Sequence, residues 1–275
     1  MPADSKDTVK PLEPGFRRNM LLVTTLFISV MAAIDMTIVT VALPYMSGNL
    51  GTTPDEITWV VTMFAVGQAL TIAITGHLSR LFGRKNLCIY TVTGFVAMSM
   101  ACGLSQSLHE IVVFRVLQGA CCGPLIPLSM SMLIDAYRPE ERNKVLSFWA
   151  MGVMGGPAIG PALGGFLAQH LDWRWNFFVN LPVGIIALFL TLRFVRSIKP
   201  LPVRTDWAGL LLLAFFLISL QVLLDQGNRL DWFSSLEIVL LGVAAVSLFM
   251  AFVARGLLLG EGNIINLRLF ADANF

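Results

Sequence analysis

The side chains best placed to do chemistry in this sequence are one acid and one base in otherwise apolar surroundings. Asp35 stands alone in the run Leu21–Leu43, within the stretch IDMTIVTVALP at Ile34–Pro44. Arg115 is the only cationic residue well inside any other apolar segment. About 20 apolar residues suffice for a helix to cross a bilayer. A carboxylate at that depth is costly unless it faces a protein interior or a water-filled cavity. A lone acid and a lone base in such segments point to a transport site that handles protons. Their depths agree. If the first segment runs outward and the fourth returns, Asp35 lies nine residues before Pro44 and Arg115 seven after Leu108. At helical rise the two levels then differ by about 3 Å, so the charges pair if those helices touch. A permanent ion pair that merely docks two helices is the alternative, although intramembrane charges usually mark pathways.

A second constellation is made of small residues. The stretch MGVMGGPAIGPALGGFL (Met151–Leu167) repeats Gly152, Gly156, Gly160 and Gly164 on one helical face, with Pro157 and Pro161 at the same spacing. Such glycines let another backbone approach closely, and prolines loosen the backbone ladder and permit bending. A bending interface is the reading; static packing is its alternative. The segment GHLSRLFGRK (Gly76–Lys85) is short, basic and bounded by Gly76 and Gly83, as a tight turn requires, though it also serves as a plain topology signal. Trp173 and Trp175 suit a membrane interface, where indole rings anchor. The 13 methionines suit a pocket for varied apolar ligands, with lipid-facing filler the commoner fate. Cys88, Cys102, Cys121 and Cys122 lack metal-ligand spacing and read as small buried thiols. His77, His109 and His170 fall near segment ends, and none is assigned as a ligand. No nucleophile elbow, phosphate loop, zinc motif or dinucleotide fingerprint occurs. Enzymatic chemistry, metal, cofactor and nucleic acid are therefore not expected.

Long apolar helices must hold these residues. The chain is 56% hydrophobic and 13% charged, against about 25% charged in soluble domains, and its mean hydropathy is +0.75. Eight apolar segments run approximately Met20–Pro44, Ile57–Gly76, Leu87–Leu104, Leu108–Ile134, Val145–His170, Phe178–Phe194, Trp207–Leu224 and Leu236–Leu257. Helices are the open-chain solution, because lipid cannot satisfy backbone polar groups. The first segment is too long and too polar-capped for a cleaved signal peptide and reads as a retained span. With the N-terminus in the cytoplasm, all 19 basic residues except Arg115, Arg174 and Arg229 fall on the cytoplasmic side. The excess of positive charge inside supports both orientation and span count. Met1–Phe16 reads as a flexible polar tail. At the other end EGNIINLRLF reads as a connector into a further span, so truncation at Phe275 is expected.

Together these stretches resemble the major facilitator superfamily, and within it the 14-span drug:proton antiporters. The family's LDxTIVNVALP-like first helix matches Ile34–Pro44 with Asp35 at the acidic position. Its GxLaDrxGrk loop matches Gly76, Leu78, Gly83, Arg84 and Lys85, and its RxxQG element matches Arg115, Gln118 and Gly119. The antiporter motif GxxxGPxxGG matches Gly152, Gly156 and Pro157, with a GP variant at Gly160–Pro161. WRWxFxxNxPxG matches Trp173–Gly184, and LDQGNRLDWFSS (Leu224–Ser235) is similar to the inner-membrane pumps of Emr-type tripartite systems. The loop departs from the pattern where the acid is expected: Arg80 stands there, followed by Leu81 in place of a base.

The resemblance implies an all-α integral membrane fold. Residues 1–19 would be a cytoplasmic tail and 20–198 the N-terminal six-helix transporter bundle. Residues 199–260 would supply two additional helices, and 261–275 a cytoplasmic connector to a missing C-terminal bundle. It also implies multidrug efflux from a bacterial inner membrane in exchange for protons, with Asp35 proton-responsive and Arg115 its partner. Gly76, Gly83 and Arg84 would serve as a cytoplasmic gate. Implied partners are drugs, protons, lipid, the C-terminal half, a periplasmic adaptor and an outer-membrane channel. The alternatives are a metabolite or amino-acid exporter of the same fold, and a non-transporting fragment that needs a second half.

Overall fold

The computed structural model describes residues 11–197 and 206–259, and among these there is no strand. Eight helical spans follow one another: α1 (Phe16–Leu50), α2 (Pro54–Phe82), α3 (Arg84–Leu104), α4 (Leu108–Ala136), α5 (Pro139–His170), α6 (Trp175–Phe194), α7 (Trp207–Gln226) and α8 (Leu236–Leu259). Each is long and apolar enough to cross a membrane. Local chemistry starts them. The Thr53 side chain and Glu56 form a reciprocal capping box before α2, and the Ser107 hydroxyl accepts the Glu110 N–H at the head of α4. Pro139 opens α5 with Glu140 and Glu141 in its first turn, where the helix dipole favours acids. α1 tightens into a 3-10 turn at Thr40–Ala42. α4 is interrupted at Gly123–Pro124, since proline cannot donate to the ladder.

α1 is the hub. It packs against α5, α6 and the second half of α4, while α2 packs on α4 and α3 on both α4 and α6. Two apolar clusters lie along the bundle axis. One contains Ile28, Met31, Phe64, Phe95, Cys122 and Ala187; the other contains Ile38, Val60, Cys102, Ile111 and Phe177. On α1, α3, α4 and α6 the residues between these two sets include Asp35, Ser99, Arg115, Gln118 and Asn180, all buried. The bundle thus carries one polar layer between two apolar ones. α7 and α8 pack on each other, and α7 reaches α2 through a small cluster of Ile74, Leu213 and Phe252.

Ion pairs and hydrogen bonds staple the two ends of the bundle. One end carries Arg18–Glu141 at 2.8 Å, the Arg84–Asp135 ion pair, and Lys85 Nζ donating to the Leu192 carbonyl at 2.8 Å. It also carries the two-pronged Arg255–Asp206 pair, 2.7 Å at its shortest. The other end carries Arg174 donating to Asn49 at 3.2 Å, and the Thr62 hydroxyl donating to Asp225.

Several boundaries differ from the sequence reading. α1 begins at Phe16, four residues before the Met20 at which the first apolar segment was read to start. Leu12 is buried and its N–H donates to the Ala136 carbonyl at 2.9 Å, so the stretch just before α1 is docked. The Gly76–Lys85 turn shrinks to Gly83 alone. Nothing between His77 and Phe82 breaks a helix, and Arg80 in the last turn of α2 suits the dipole. Gly83 has φ 77°, a left-handed value that glycine adopts without strain. Trp173, read as an interfacial anchor, is core, 3% exposed against Phe177, whereas Trp175 is exposed. The expected connector at 261–275, most of the tail, and Lys199 and Arg204 lie outside the described residues.

Candidate functional site

Asp35 is fully buried at the centre of the polar layer. Its Oδ2 accepts from Arg115 Nη1 at 2.9 Å. Its Oδ1 accepts from Gln118 Nε2 at 3.0 Å and from Asn180 Nδ2 at 2.6 Å. α1, α4 and α6 thus converge on one carboxylate. Arg115 has more than one anchor. Its Nε donates to the Val60 carbonyl of α2 at 3.0 Å, and Nη1 also donates to Gln118 Oε1 at 2.9 Å. Its guanidinium carbon lies 3.9 Å from the Phe64 ring centroid, within cation–π range. Asn180 donates again to Ser99 Oγ at 3.0 Å, and Ser99 donates to the Phe177 carbonyl at 2.9 Å. A buried charge pair survives only when further hydrogen bonds support it, and here Val60, Gln118 and Asn180 supply them.

The pairing of Asp35 with Arg115 followed from depth; the rest of the layer did not. Asn180, Ser99 and the Val60 carbonyl were missed. Asn180 lay in a matched motif but was given no role, although a polar amide within an apolar segment was the available signal. Gln118 joins the pair directly. Gly119 does something else. A Cβ there would strike the Phe64 carbonyl, and one at Gly67 would strike the Val116 carbonyl, so these two glycines let α2 and α4 cross closely enough for Arg115 to reach Val60. Gly67 was not singled out from sequence.

The glycine face of α5 lies against α1. A Cβ at Gly152 would sit 2.7 Å from Leu26 Cδ2, and one at Gly156 3.1 Å from Ala33 Cβ. At Gly160 it would meet Thr37, and at Gly164 the Ile38 carbonyl. These contacts flank Asp35 on both sides. Pro157 and Pro161 are exposed, away from this seam, and α5 continues as a helix through both. Of the loop residues, Gly76 is helical with open space at its Cβ position, Gly83 makes the turn, and Arg84 pairs with Asp135 at the end of α4. The loop lacks its usual acid, and Asp135 supplies a carboxylate from another helix.

These spans and their sealed charge layer define a multi-pass, all-α membrane protein. The chain belongs to the Major Facilitator Superfamily, whose family model matches residues 25–267. It is 40% identical over 268 residues to the multidrug export protein EmrB of Escherichia coli K12, covering 97% of this chain and 52% of that protein. It is 42% identical over 248 residues to the fatty acid resistance protein FarB of Neisseria gonorrhoeae, covering 89% of this chain and 48% of that protein. The chain spans about half the length of these curated relatives. Among solved structures, the peptide transporter POT in complex with sulfate matches 91% of this chain and 53% of its own, at TM-score 0.61 and 18% identity. The POT family transporter PepTSo matches 87% and 53%, at TM-score 0.62 and 12% identity, a likeness of fold alone.

Proposed function

We propose that this chain forms the first part of a proton-coupled exporter of hydrophobic or cationic drugs, with Asp35 as the group that gains and loses the proton. The observation that carries the reading is the occluded carboxylate held from three helices. The name of the multidrug export relative supports the substrate class. Protonation of Asp35 removes the charge that Arg115 faces, yet Arg115 keeps Val60, Gln118 and Phe64. The base therefore stays fixed to α2 and α4 while its hold on α1 weakens, leaving Asp35 only its Oδ1 partners Gln118 and Asn180. Because α1 rides on the glycine face of α5, that loosening can become a slide between helices. Alternating access in such folds is rocking of one bundle against another around a site near the midplane, so a second bundle is a required partner.

The N-terminus would lie in the cytoplasm of a bacterial cell and the protein in its inner membrane, as the skew of basic residues supports. A periplasmic adaptor and an outer-membrane channel would complete the route. The name of the fatty acid resistance relative favours a second substrate class, fatty acids. The test is the intact pump, this chain with its second half, in proteoliposomes under an imposed pH gradient. Asp35→Asn is expected to insert normally and to lose gradient-driven efflux. Undiminished efflux in that variant overturns the proposal, and a panel of cationic dyes and fatty acids separates the two substrate classes.

A further inference from the structure

A cleft of about 430 Å³ opens beside α1, between α5 and α6. α5 and α6 both pack along α1 but meet each other chiefly at the short turn Trp175–Phe178. The gap between them is floored by Val30 and Ile34 of α1 and walled by Gly152, Leu163 and Val183. The size falls within the range of about 300–1,000 Å³ common to small-molecule sites. Asn180 is the one side chain with a hydrogen-bonding amide in the lining, and it is 3% exposed.

The orientation of that amide is fixed by its neighbour. An ionised carboxylate only accepts hydrogen bonds, so the group facing Asp35 must be the Nδ2 donor. Both hydrogen bonds of Asn180 use Nδ2, to Asp35 at 2.6 Å and to Ser99 at 3.0 Å. Oδ1 accepts no hydrogen bond among the described residues and is not one of the sealed polar atoms, so it remains accessible at the cleft that Asn180 lines. The cleft therefore offers one acceptor at the edge of an apolar volume. A cationic head has no counter-charge here, because Asp35 is already matched by Arg115. An anionic head brings no donor to a carbonyl oxygen. A neutral hydroxyl fits both constraints.

We propose that this cleft binds a single-chain lipophile with a neutral hydrogen-bond-donating head, its chain along Val30 and Ile34 and its hydroxyl donating to Asn180 Oδ1. Alcohols and protonated acids share this chemistry; a phospholipid, with its charged head, does not belong at the level of Asp35. The site stands apart from transport: binding is expected of this chain whether or not Asp35 couples to protons, so a failure here and a failure of the efflux reading are separate results.

The test uses the 275-residue chain in lipid nanodiscs with a diazirine-bearing hexadecanol, and cross-links mapped by mass spectrometry. Labelling is expected around Val30, Leu163 and Val183. Unlabelled hexadecanol should compete for it, and its methyl ether should compete about tenfold less well, the loss of about one net hydrogen bond. Asn180→Leu also strips Asp35 of a donor, so Val30→Trp and Val183→Phe carry the test. Each fills the cleft from a different helix without touching the charge layer, and each should abolish the labelling. Equal competition by the methyl ether, equal labelling by a diazirine-bearing phosphatidylcholine, or undiminished labelling in both cleft-filling variants overturns the proposal.

Discussion

Arg115 carries more of the site than its charge. Its guanidinium reaches Val60, Asp35 and Gln118 and stacks on Phe64. An ammonium has neither the planar fork nor the stacking face. Arg115→Lys is therefore expected to lose transport in the intact pump while membrane insertion persists, and normal turnover would mean that the fork is dispensable. Arg115→Leu leaves Asp35 buried without a counter-charge, which costs about 3–5 kcal/mol. Pairing it with Asp35→Asn should restore part of that loss. Thermal unfolding in detergent of the two single variants and the double variant checks this, and strictly additive losses would deny the coupling. The acid and the base were legible as isolated charges in apolar runs. Asn180 was not, because an amide in a membrane segment has many ordinary fates and only its rotation toward Asp35 gives it one.

At the scale of the helix, the α1–α5 seam sets a graded expectation. A Cβ at Gly156 would lie 3.1 Å from the Ala33 side chain, whereas one at Gly164 would run into the Ile38 backbone carbonyl. Backbone yields less readily than a side chain. Gly164→Ala should thus destabilise more than Gly156→Ala, within the usual overpacking cost of about 1–3 kcal/mol. Gly156→Leu and Gly160→Leu should both lose transport at near-normal expression. Melting temperatures and transport assays test the order; equal tolerance at all three positions would place the seam elsewhere. The α7–α8 hairpin gives a pH prediction. Asp206 caps α7 through the Gly209 N–H and pairs with Arg255. The Arg255 hydrogen bond, with help from backbone N–H groups, holds the Asp206 carboxyl below its ordinary range. A carboxyl lowered by folding stabilises fully above its unfolded value of about 3.9. The contribution fades as pH falls below that value and through the folded one. Thermal stability of the wild type should thus converge on that of Asp206→Asn only in acid, and a gap that stays constant down to pH 3 would refute the assignment.

For the molecule as a whole, the chain spans about half the length of its curated relatives, and rocking needs two bundles. Expressed by itself, residues 1–275 should insert, because the apolar segments and the skew of basic residues suffice for insertion. Transport should be absent alone and restored by co-expression with a separate second half. Robust export by the 275-residue chain alone in proteoliposomes would show instead that two copies can make a pump.

The sequence by itself determined the helical class, the eight spans and the isolation of Asp35 and Arg115. Hydropathy and charge are read residue by residue, and lipid leaves the backbone no other open structure. It also carried the family, through motifs spread over most of the chain. It did not determine that α2 runs on to Phe82, that Trp173 is core, or that the glycines of α5 meet α1 while its prolines turn away. Nor did it join Asn180 to Asp35 across 145 residues. Those facts depend on how each helix is rotated about its axis and which neighbour it meets. That choice is made by packing between segments distant in the chain, so only the tertiary structure could decide that one carboxylate is held from three helices and that its third partner also borders an apolar cleft.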